Sequence, residues 1–368
     1  MKIATVLPRG MHFSPVGATS IDIVARDLML ASEHRSTSYI VGSEVDFPFA
    51  DIDFRGCKHT GQRDAAKQYL QVLKADRPDI VVVHQHPESA AFIARHLVDV
   101  PVVLHRHGQL KRKRSPLARW FKKRHLKAVS RTIFVSDFIR RSFLDQYPDL
   151  APKTDVVFNG VDVDFWSPAD IKQRKFIYVG RARQDKGIWP LVDAFMALHK
   201  TERGSDWTLD LILGVQTDAE KALSKELHER YGEHPAIGLF ENEPSENVQR
   251  HLSTASIAAL PSIVKEGFPR AVVEAMACGC GIVATNHGGT PEAAANVATL
   301  LENPQAQDFA KRLEASLLEL IGDEKSCAEI GRKSREHVIQ NLSIKSVSHQ
   351  YDQVLARTLD GFQLYHNL

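Results

Sequence analysis

The stretch that decides the fold is residues 266–279, which read EGFPRAVVEAMACG. It follows a short apolar run at 257–260 that is typical of a buried parallel strand. Gly267 precedes an amphipathic segment at 269–278, and Pro269 is its first residue. We therefore predict a strand, a loop and a helix in this order. The free N–H groups at the start of such a helix attract anions, and the helix dipole strengthens the attraction.

The same alternation of apolar runs and amphipathic segments extends outward in both directions. In the first half, strands are predicted at 2–7, 38–41, 80–84, 101–105, 131–135 and 154–158, and a basic helix at 116–128. In the second half, strands are predicted at 175–179, 209–213, 237–240, 257–260 and 282–285, and the tail at 304–359 is predicted to be helical. This pattern is typical of parallel sheets covered by helices on both faces. A chain of 368 residues is also too long for one core, so we expect two doubly wound α/β domains.

The domain boundary is expected where the alternation starts again, after a polar linker at 162–173. We predict an N-terminal domain at 1–168, a second domain at 169–344, and a C-terminal helix at 345–368 that packs back on the first domain. Sheets of this kind bind ligands beyond the carboxyl ends of their strands, so a ligand cleft between the two domains is expected.

Two glutamates in the deciding stretch are candidate ligand-binding residues. Glu266 lies in the predicted loop, and Glu274 lies about a turn and a half inside the predicted helix. One carboxylate can accept hydrogen bonds from sugar hydroxyls and the other from ribose hydroxyls, with a diphosphate between them, because hydrogen bonds to charged groups are strong. The spacing alone is not specific, since a loop glutamate and a solvated helical glutamate would look the same.

Two cations follow the first predicted strand of the second half. The run at 176–181 reads FIYVGR, and Lys186 and Gly187 come next. Arg181 and Lys186 at one strand end can offset the negative charge that builds on a departing diphosphate. The alternative is a surface arginine and lysine without a ligand.

The stretch at 266–279 resembles the Glu-x7-Glu motif of the family 4 retaining glycosyltransferases, also called group 1 glycosyl transferases. The match includes Gly267 and Phe268 after the first glutamate and Glu-Ala-Met-Ala at the second. The resemblance implies a GT-B fold, with two Rossmann-like domains facing across a cleft. It also implies a hexosyltransferase that takes a sugar from a nucleotide diphosphate donor with retention of the anomeric configuration. A uridine donor is expected from its frequency in the family.

The resemblance assigns roles to single residues. The catalytic residues that it implies are His107, Arg181, Lys186 and Glu266. The donor-binding residues that it implies are Gly17, Arg181, Lys186, Glu266, Gly267, Phe268, Pro269, Glu274, Gly288 and Gly289. The family commonly has His-Gly where this chain has 107–108, with the histidine near the reacting carbon, and His105 competes for that role. Ala18 follows Gly17 where relatives often carry a second glycine.

No metal and no cofactor are expected besides the nucleotide sugar, which is a co-substrate. The Asp-x-Asp pair at 51–53 lacks a matching sequence context, and the pair at 162–164 lies in the linker between the predicted domains. Cationic side chains with a helix terminus can do the work of a metal. The His-x-His pairs at 84–86 and 105–107 lack a convincing third ligand.

A basic segment at 111–127 contains nine Lys or Arg and no acidic residue, although the formal net charge of the chain is only +2. The predicted membrane or acceptor contacts are Lys111, Arg112, Lys113, Arg114, Arg119, Trp120, Lys122, Lys123 and Arg124. Leu117, Trp120 and Phe121 share one predicted helical face, which favours an anionic membrane surface or a lipid-linked acceptor. A solvated helix face, an acidic soluble acceptor and a nucleic-acid site are the alternatives. We expect no nucleic-acid partner.

The apolar run at 3–7 is too short for a signal peptide, and no run approaches the ~18 apolar residues of a membrane span. A cytoplasmic protein, peripheral on the inner face of the cytoplasmic membrane, is therefore expected. The expected activity is transfer of a sugar to a cell-envelope glycan or lipid-linked acceptor such as lipopolysaccharide core. The alternatives are a nucleotide-sugar 2-epimerase of the same fold, a glycogen-type phosphorylase, which would need a longer chain, and a non-catalytic basic-patch binding protein.

Overall fold

The computed structural model describes residues 1–112 and 115–366. The chain divides into unit 1, Met1–Gly160 with Ile344–Leu368, and unit 2, Val161–Ser343. Each unit contains one parallel sheet with helices. The predicted α/β class with two doubly wound sheets is confirmed.

The sheet of unit 1 has seven strands in the order β3-β2-β1-β4-β5-β6-β7, all paired in parallel. The strands are β1 (Ile3–Val6), β2 (Tyr39–Ser43), β3 (Phe54–Cys57), β4 (Ile80–His84), β5 (Val102–Arg106), β6 (Arg131–Phe134) and β7 (Thr154–Val156). The helices are α1 (Ser20–Ala31), α2 (Gln62–Asp76), α3 (Pro87–His96), α4 (Pro116–Ala128) and α5 (Asp137–Leu144). Strands β2 and β3 lie on one side of β1, and β4 to β7 lie on the other side. The order of strands therefore changes direction between β1 and β4, and sheets of this kind bind ligands at such a switch point.

Alternating strand residues place the core of unit 1 on both faces of its sheet. Val81 and Val83 of β4 pack in one apolar cluster, whereas Ile80 and Val82 pack in the other. Because successive side chains of a strand point to opposite faces, a strand buried on both sides is a continuous apolar run. This explains why β4 could be predicted at its observed bounds.

The edge strand β3 was not predicted, because its four residues FRGC contain no apolar run. It pairs only with β2, and an edge strand needs burial on fewer sides than a central one.

The sheet of unit 2 has six parallel strands in the order β10-β9-β8-β11-β12-β13. The strands are β8 (Gln173–Arg181), β9 (Thr208–Gly214), β10 (Ile237–Glu241), β11 (Ala255–Leu260), β12 (Gly281–Thr285) and β13 (Thr299–Leu301). The helices of unit 2 are α6 (Ile188–Leu198), α7 (Asp218–Tyr231), α8 (Ser245–Thr254), α9 (Arg270–Ala277), α10 (Thr290–Ala294), α11 (Phe309–Gly322) and α12 (Glu324–His337). The predicted helical tail is thus two helices, a π-helical turn at Val338–Leu342 and a final helix, α13 (Ile344–His366).

The segment 161–168, which sequence analysis assigns to the first domain, lies in unit 2. The reason is its hydrogen bonding: the Val161 N–H donates to Leu342 O at 3.0 Å, and Arg335 donates to the carbonyls of Trp166 and Val163. Helix α13 belongs to unit 1, where Ser348 Oγ donates to the carbonyl of Leu28 in α1.

Candidate active site

Three strands of unit 2 end beside the residues that sequence analysis singles out. Arg181 is the last residue of β8, the loop at 261–269 follows β11, and the turn at 286–289 follows β12. Strands β8 and β11 are neighbours although they are far apart in sequence, so this is the switch point of the sheet. Parallel strands end at the same edge, and the three segments therefore meet there.

Lys186 and Glu266 form an ion pair at this edge. The Lys186 Nζ lies 2.9 Å from Glu266 Oε1, and the two side chains are 18% and 24% exposed. The pair exists because the loop after β8 approaches the loop after β11: the N–H groups of Ile263 and Val264 both donate to the carbonyl of Asp185. The structure thus brings together a cation and a carboxylate that sequence reasoning assigned to different parts of one ligand.

Gly187 permits this close approach. Its φ is +75°, and a Cβ added there would lie 2.0 Å from the carbonyl oxygen of Pro261. Any other residue would force the two loops apart.

The glycine turn after β12 also contacts Glu266. The Gly289 N–H donates to the Glu266 carbonyl at 2.8 Å, and a Cβ on Gly288 would lie 2.6 Å from the same oxygen. Gly288 has φ +66°, which favours glycine. The turn therefore packs against the backbone of Glu266 and fixes its position.

Arg181 pairs with a carboxylate that was not predicted. Its Nη2 donates to Glu220 Oε2 at 2.9 Å, and its Nε lies 2.6 Å from Glu220 Oε1. The Tyr178 hydroxyl donates to the Arg181 carbonyl at 3.1 Å. Burial, together with the nearby carboxylates of Glu266 and Asp185, raises the pKa of Tyr178 well above its usual value, so this hydroxyl stays protonated. The sequence signal for Glu220 was the capping box that it forms with Thr217 at the start of α7.

The remaining donor-binding candidates lie at the start of α9. Pro269 is the N-cap of this helix and not its first residue, and Phe268 is buried. Gly267 stands in the loop before them. Glu274 lies in the second turn of α9, where Arg270 Nε is 3.2 Å from Glu274 Oε1. Glu274 is thus held by a partner one helical turn away.

In unit 1, three histidines form a group that we call the histidine cluster: His84, His105 and His107. His84 Nδ1 lies 2.9 Å from His107 Nε2, and the rings of His105 and His107 are 4.5 Å apart between centroids. His84 and His105 are at most 1% exposed, whereas His107 is half-buried. His107 is therefore the more accessible of the two histidines that sequence analysis considered.

Burial keeps the histidine cluster neutral. Burial lowers the pKa of His84 to about 3 and lowers the pKa values of His105 and His107 well below their usual range. Among the described residues, His84 Nε2 and both ring nitrogens of His105 have no hydrogen-bond partner.

One prediction needs correction. The sequence offered no convincing third ligand for His105 and His107, but the structure places His84 beside them. One nitrogen from each ring lies within 4.8 Å of the others. Three neutral imidazoles are a possible ligand set for zinc, but a positive charge next to them opposes a divalent cation. The neighbouring Arg106 guanidinium, whose pKa burial lowers only to about 10, is already positive.

Arg106 holds the loops around His107. Its Nη1 donates to the carbonyl of Gln85, and its Nη2 donates to the carbonyls of Gly108 and Gln109 at 2.7 and 3.2 Å. Gln85 Oε1 in turn accepts the His107 N–H at 3.0 Å. Sequence reasoning missed this function of Arg106, whose only signal was a charged residue at the carboxyl end of an apolar strand. Gly17, the remaining candidate in unit 1, has φ +84° in the loop between β1 and α1.

The Asp-x-Asp pairs make local interactions that do not resemble a metal site. Asp51 pairs with Arg26, and Asp53 pairs with Arg55 at 2.9 Å. Asp162 Oδ1 accepts the N–H of Asp164 at 3.0 Å, which is a turn within the chain.

Helix α4 exposes three large apolar side chains. Leu117, Trp120 and Phe121 are 63%, 54% and 48% exposed. Arg124 stacks over the Trp120 ring with 5.8 Å to its centroid. Within 111–124, the exposed cations among the described residues are Lys111, Arg112, Arg119 and Arg124. We call these seven residues the basic helix surface.

Two predicted cations do not belong to the basic helix surface. Lys122 is buried and pairs with Glu88 of α3, because it lies on the face of α4 that packs on the unit. Lys123 is half-buried and lies 2.9 Å from Asp149. Lys113 and Arg114 lie outside the described residues. Within the described part of the chain, no helix combines the length and the apolar character needed to cross a membrane.

Family models match both units. The model for glycosyl transferases group 1 matches residues 164–337, and the model for glycosyltransferase family 4 matches residues 44–165. The alpha-maltose-1-phosphate synthase of Mycolicibacterium smegmatis is 28% identical over 258 residues, which cover 63% of this chain and 64% of that protein. The chain thus matches less than two thirds of that relative's length.

Two further proteins are similar over different shares of the chain. The putative colanic acid biosynthesis glycosyltransferase WcaL of Escherichia coli is 30% identical over 53% of this chain and 49% of that protein. The solved structure of HepE from Anabaena in complex with UDP has a TM-score of 0.75 at 18% identity, and it covers 97% of this chain and 100% of that chain. The second likeness shows the GT-B fold alone. Since the two family models together match most of its residues, the chain belongs to the group 1 glycosyltransferases of family 4, which are transferase enzymes.

Proposed function

We propose that this glycosyltransferase moves a sugar from a nucleotide diphosphate sugar, with uridine as the base, onto a hydroxyl group of a cell-envelope glycan or lipid-linked acceptor such as lipopolysaccharide core. The single observation that carries the proposal is the Lys186–Glu266 ion pair against the glycine turn at 288–289. A cation and a carboxylate side by side match a ligand in which a phosphate adjoins sugar hydroxyls.

The residues of unit 2 have complementary roles in this proposal. Arg181 and Lys186 contact the diphosphate and offset the charge that develops as the glycosidic bond breaks. The N–H groups that follow Gly267 add partial positive charge at the start of α9. Glu266 accepts hydrogen bonds from the sugar, and Glu274 accepts them from the ribose. The complex of HepE with UDP supports a uridine nucleotide, because that protein has the same fold.

We propose retention of the anomeric configuration by a same-face displacement. The acceptor oxygen bonds to the anomeric carbon, the bond from that carbon to the diphosphate breaks, and a phosphate oxygen takes the acceptor proton. We assign acceptor handling to loops of unit 1 that include Gly17 and His107. We also propose that transfer needs no metal: activity should persist in excess chelator, and a complete loss that manganese reverses would refute this.

A panel of ligands tests the donor assignment. Ligands that bind the folded state raise its melting temperature by mass action, so we expect UDP and UDP-sugars to raise it and the parent nucleoside to raise it less. A second assay follows donor consumption with and without crude membrane extract. We expect consumption that requires the extract and an α-linked product from an α-linked donor. Conversion of the donor without an acceptor would instead indicate a 2-epimerase, and the absence of any nucleotide binding would overturn the proposal.

The acceptor side of the proposal depends on the basic helix surface. Exposed Trp and Phe next to cations fit the headgroup region of an anionic bilayer, where each cation contributes ~1 kcal/mol. We therefore propose a peripheral protein on the inner face of the cytoplasmic membrane. The similarity to a putative colanic acid glycosyltransferase supports an acceptor that belongs to an envelope polysaccharide.

Co-sedimentation with liposomes at low salt tests the membrane contact. We expect binding to vesicles with anionic lipid, and a loss of binding in the double variant Arg119→Glu with Arg124→Glu. The matched control is Lys221→Glu with Lys225→Glu on α7, which changes the charge equally at exposed positions of unit 2. Equal binding by both double variants would refute the membrane contact.

A further inference from the structure

Glu220 is a buried carboxylate next to Arg181, the residue that we propose contacts the diphosphate of the donor. It is the third residue of α7, and its side chain is only 1% exposed. A buried carboxylate is costly unless hydrogen bonds and a counter-ion compensate the loss of water. Its contacts show whether it only caps the helix or also serves the site.

The Glu220 carboxylate is held from two sides. On the helix side, the N–H groups of Gln216 and Thr217 donate to its Oε2 at 2.9 and 2.8 Å. On the other side, Arg181 contributes the Nη2 hydrogen bond and the 2.6 Å contact of its Nε. Burial alone would raise the pKa of Glu220, but the hydrogen bonds from Arg181, Thr217 and Gln216 lower this pKa to about 2. The carboxylate is therefore charged and immobile at neutral pH.

Arg181 gains a fixed orientation from this contact. Its side chain is 43% exposed at the carboxyl end of β8, so without a partner the guanidinium could adopt many rotamers. Glu220 occupies one edge of the planar guanidinium and leaves the other edge to face a ligand. A planar group that is already oriented loses less entropy when it binds a phosphate.

We propose that Glu220 is a positioning residue that orients Arg181 toward the diphosphate of the donor and acts on donor binding only through Arg181. This inference rests on the proposed function, in which Arg181 contacts the diphosphate. A helix cap that served stability alone would have no such dependence on Arg181.

A double-mutant cycle tests this dependence. The proteins are the wild type, Glu220→Gln, Arg181→Ala and the double variant. The probes are the nucleoside diphosphate that gives the largest shift in the ligand panel, and its parent nucleoside. We expect Glu220→Gln to weaken the diphosphate about 10-fold when Arg181 is present and less than 2-fold in the Arg181→Ala background, and to leave nucleoside binding unchanged. The matched control is Glu226→Gln, also on α7, whose partner Arg230 lies at the surface.

Each other outcome has a distinct meaning. An equal loss in both backgrounds would show that Glu220 acts through the helix alone, and it would overturn the inference. Tighter diphosphate binding by Glu220→Gln would show that the carboxylate competes with phosphate, which also overturns it. A wild-type affinity in Arg181→Ala would instead contradict the proposed function at Arg181. If Glu220→Gln does not fold, Glu220→Asp keeps the charge but withdraws the carboxylate by one methylene, and the same dependence on Arg181 is expected.

Discussion

The two sheets share one strand order over six strands, but their carboxyl edges differ in chemistry. The edge of unit 1 contains the histidine cluster, in which two rings are buried and all three are kept neutral. The edge of unit 2 contains two ion pairs, Arg181–Glu220 and Lys186–Glu266, in which the cations remain partly exposed. The comparison teaches that the doubly wound scaffold determines where a site lies, whereas the residues after each strand determine whether it suits a charged or an uncharged group.

The largest expected effect is on the charged edge. Lys186→Ala should lower kcat by about 10³-fold while the fold persists, because the loss of two charged hydrogen bonds at ~2 kcal/mol each amounts to about 4 kcal/mol. Turnover of the donor from the ligand panel, together with circular dichroism, measures both parts. Lys221→Ala, an exposed lysine of α7, is the control and should keep full turnover. Near-normal turnover in Lys186→Ala would show that Lys186 of the charged edge does not take part in the reaction.

A pair of glycines gives the next effect in size. Gly187→Ala should lower the free energy of unfolding by about 3 kcal/mol, because its Cβ would collide with the Pro261 carbonyl at 2.0 Å as well as strain a positive φ. Gly17→Ala should cost only about 1 kcal/mol, since its φ is also positive but the nearest atom, His12 Cδ2, is 3.4 Å away. Chemical unfolding of both variants measures the difference. Equal losses in the free energy of unfolding would show that the contact between Gly187 and the Pro261 carbonyl does not exclude a methyl group.

The last expected effect, which is smaller than that of Gly187→Ala, concerns the neutral edge and the pH dependence of its stability. The folded pKa of His105 lies well below the unfolded value of about 6.5, so its contribution to stability is complete above pH 6.5 and is lost as the pH falls below it. For one such histidine the loss between pH 7 and pH 5 is about 2 kcal/mol. His105→Phe should therefore reduce, by this amount, the loss in the free energy of unfolding of unit 1 between pH 7 and pH 5. Hydrogen exchange of the β4 and β5 amides measures it, and an unchanged dependence would mean that this histidine is not kept neutral.

The sequence was informative where burial on both faces makes a strand a continuous apolar run, as in β4 and β11. It did not predict β3 and β13, which are short strands at sheet edges and need no such run. The motif residues of unit 2 could be named in advance because the runs at 176–187 and 266–279 resemble the motifs of a known family, whereas the spacing of the two glutamates alone was not specific. Their partners could not, since the contact of Lys186 with Glu266 depends on how two loops pack.

Burial also decided which predicted charges are accessible. Lys122 looked like one more cation of a basic run, but the face of α4 that carries it packs against α3, where Glu88 lies. The histidine cluster was missed for a related reason, because His84 comes from a different strand from His105 and only the sheet order makes them neighbours. Side-chain chemistry could be predicted from local sequence, whereas pairing between elements required the fold.

The Lys186–Glu266 pair has a consequence for selectivity among the anions of a cell. A simple anion such as inorganic phosphate can approach Lys186 only by drawing it away from Glu266, and the carboxylate would then repel the newcomer. A molecule that presents a phosphate beside hydroxyl groups satisfies the lysine and the carboxylate together. We therefore expect the proposed site to bind small anions weakly without a steric barrier, since a ligand must bring two matching functional groups at once.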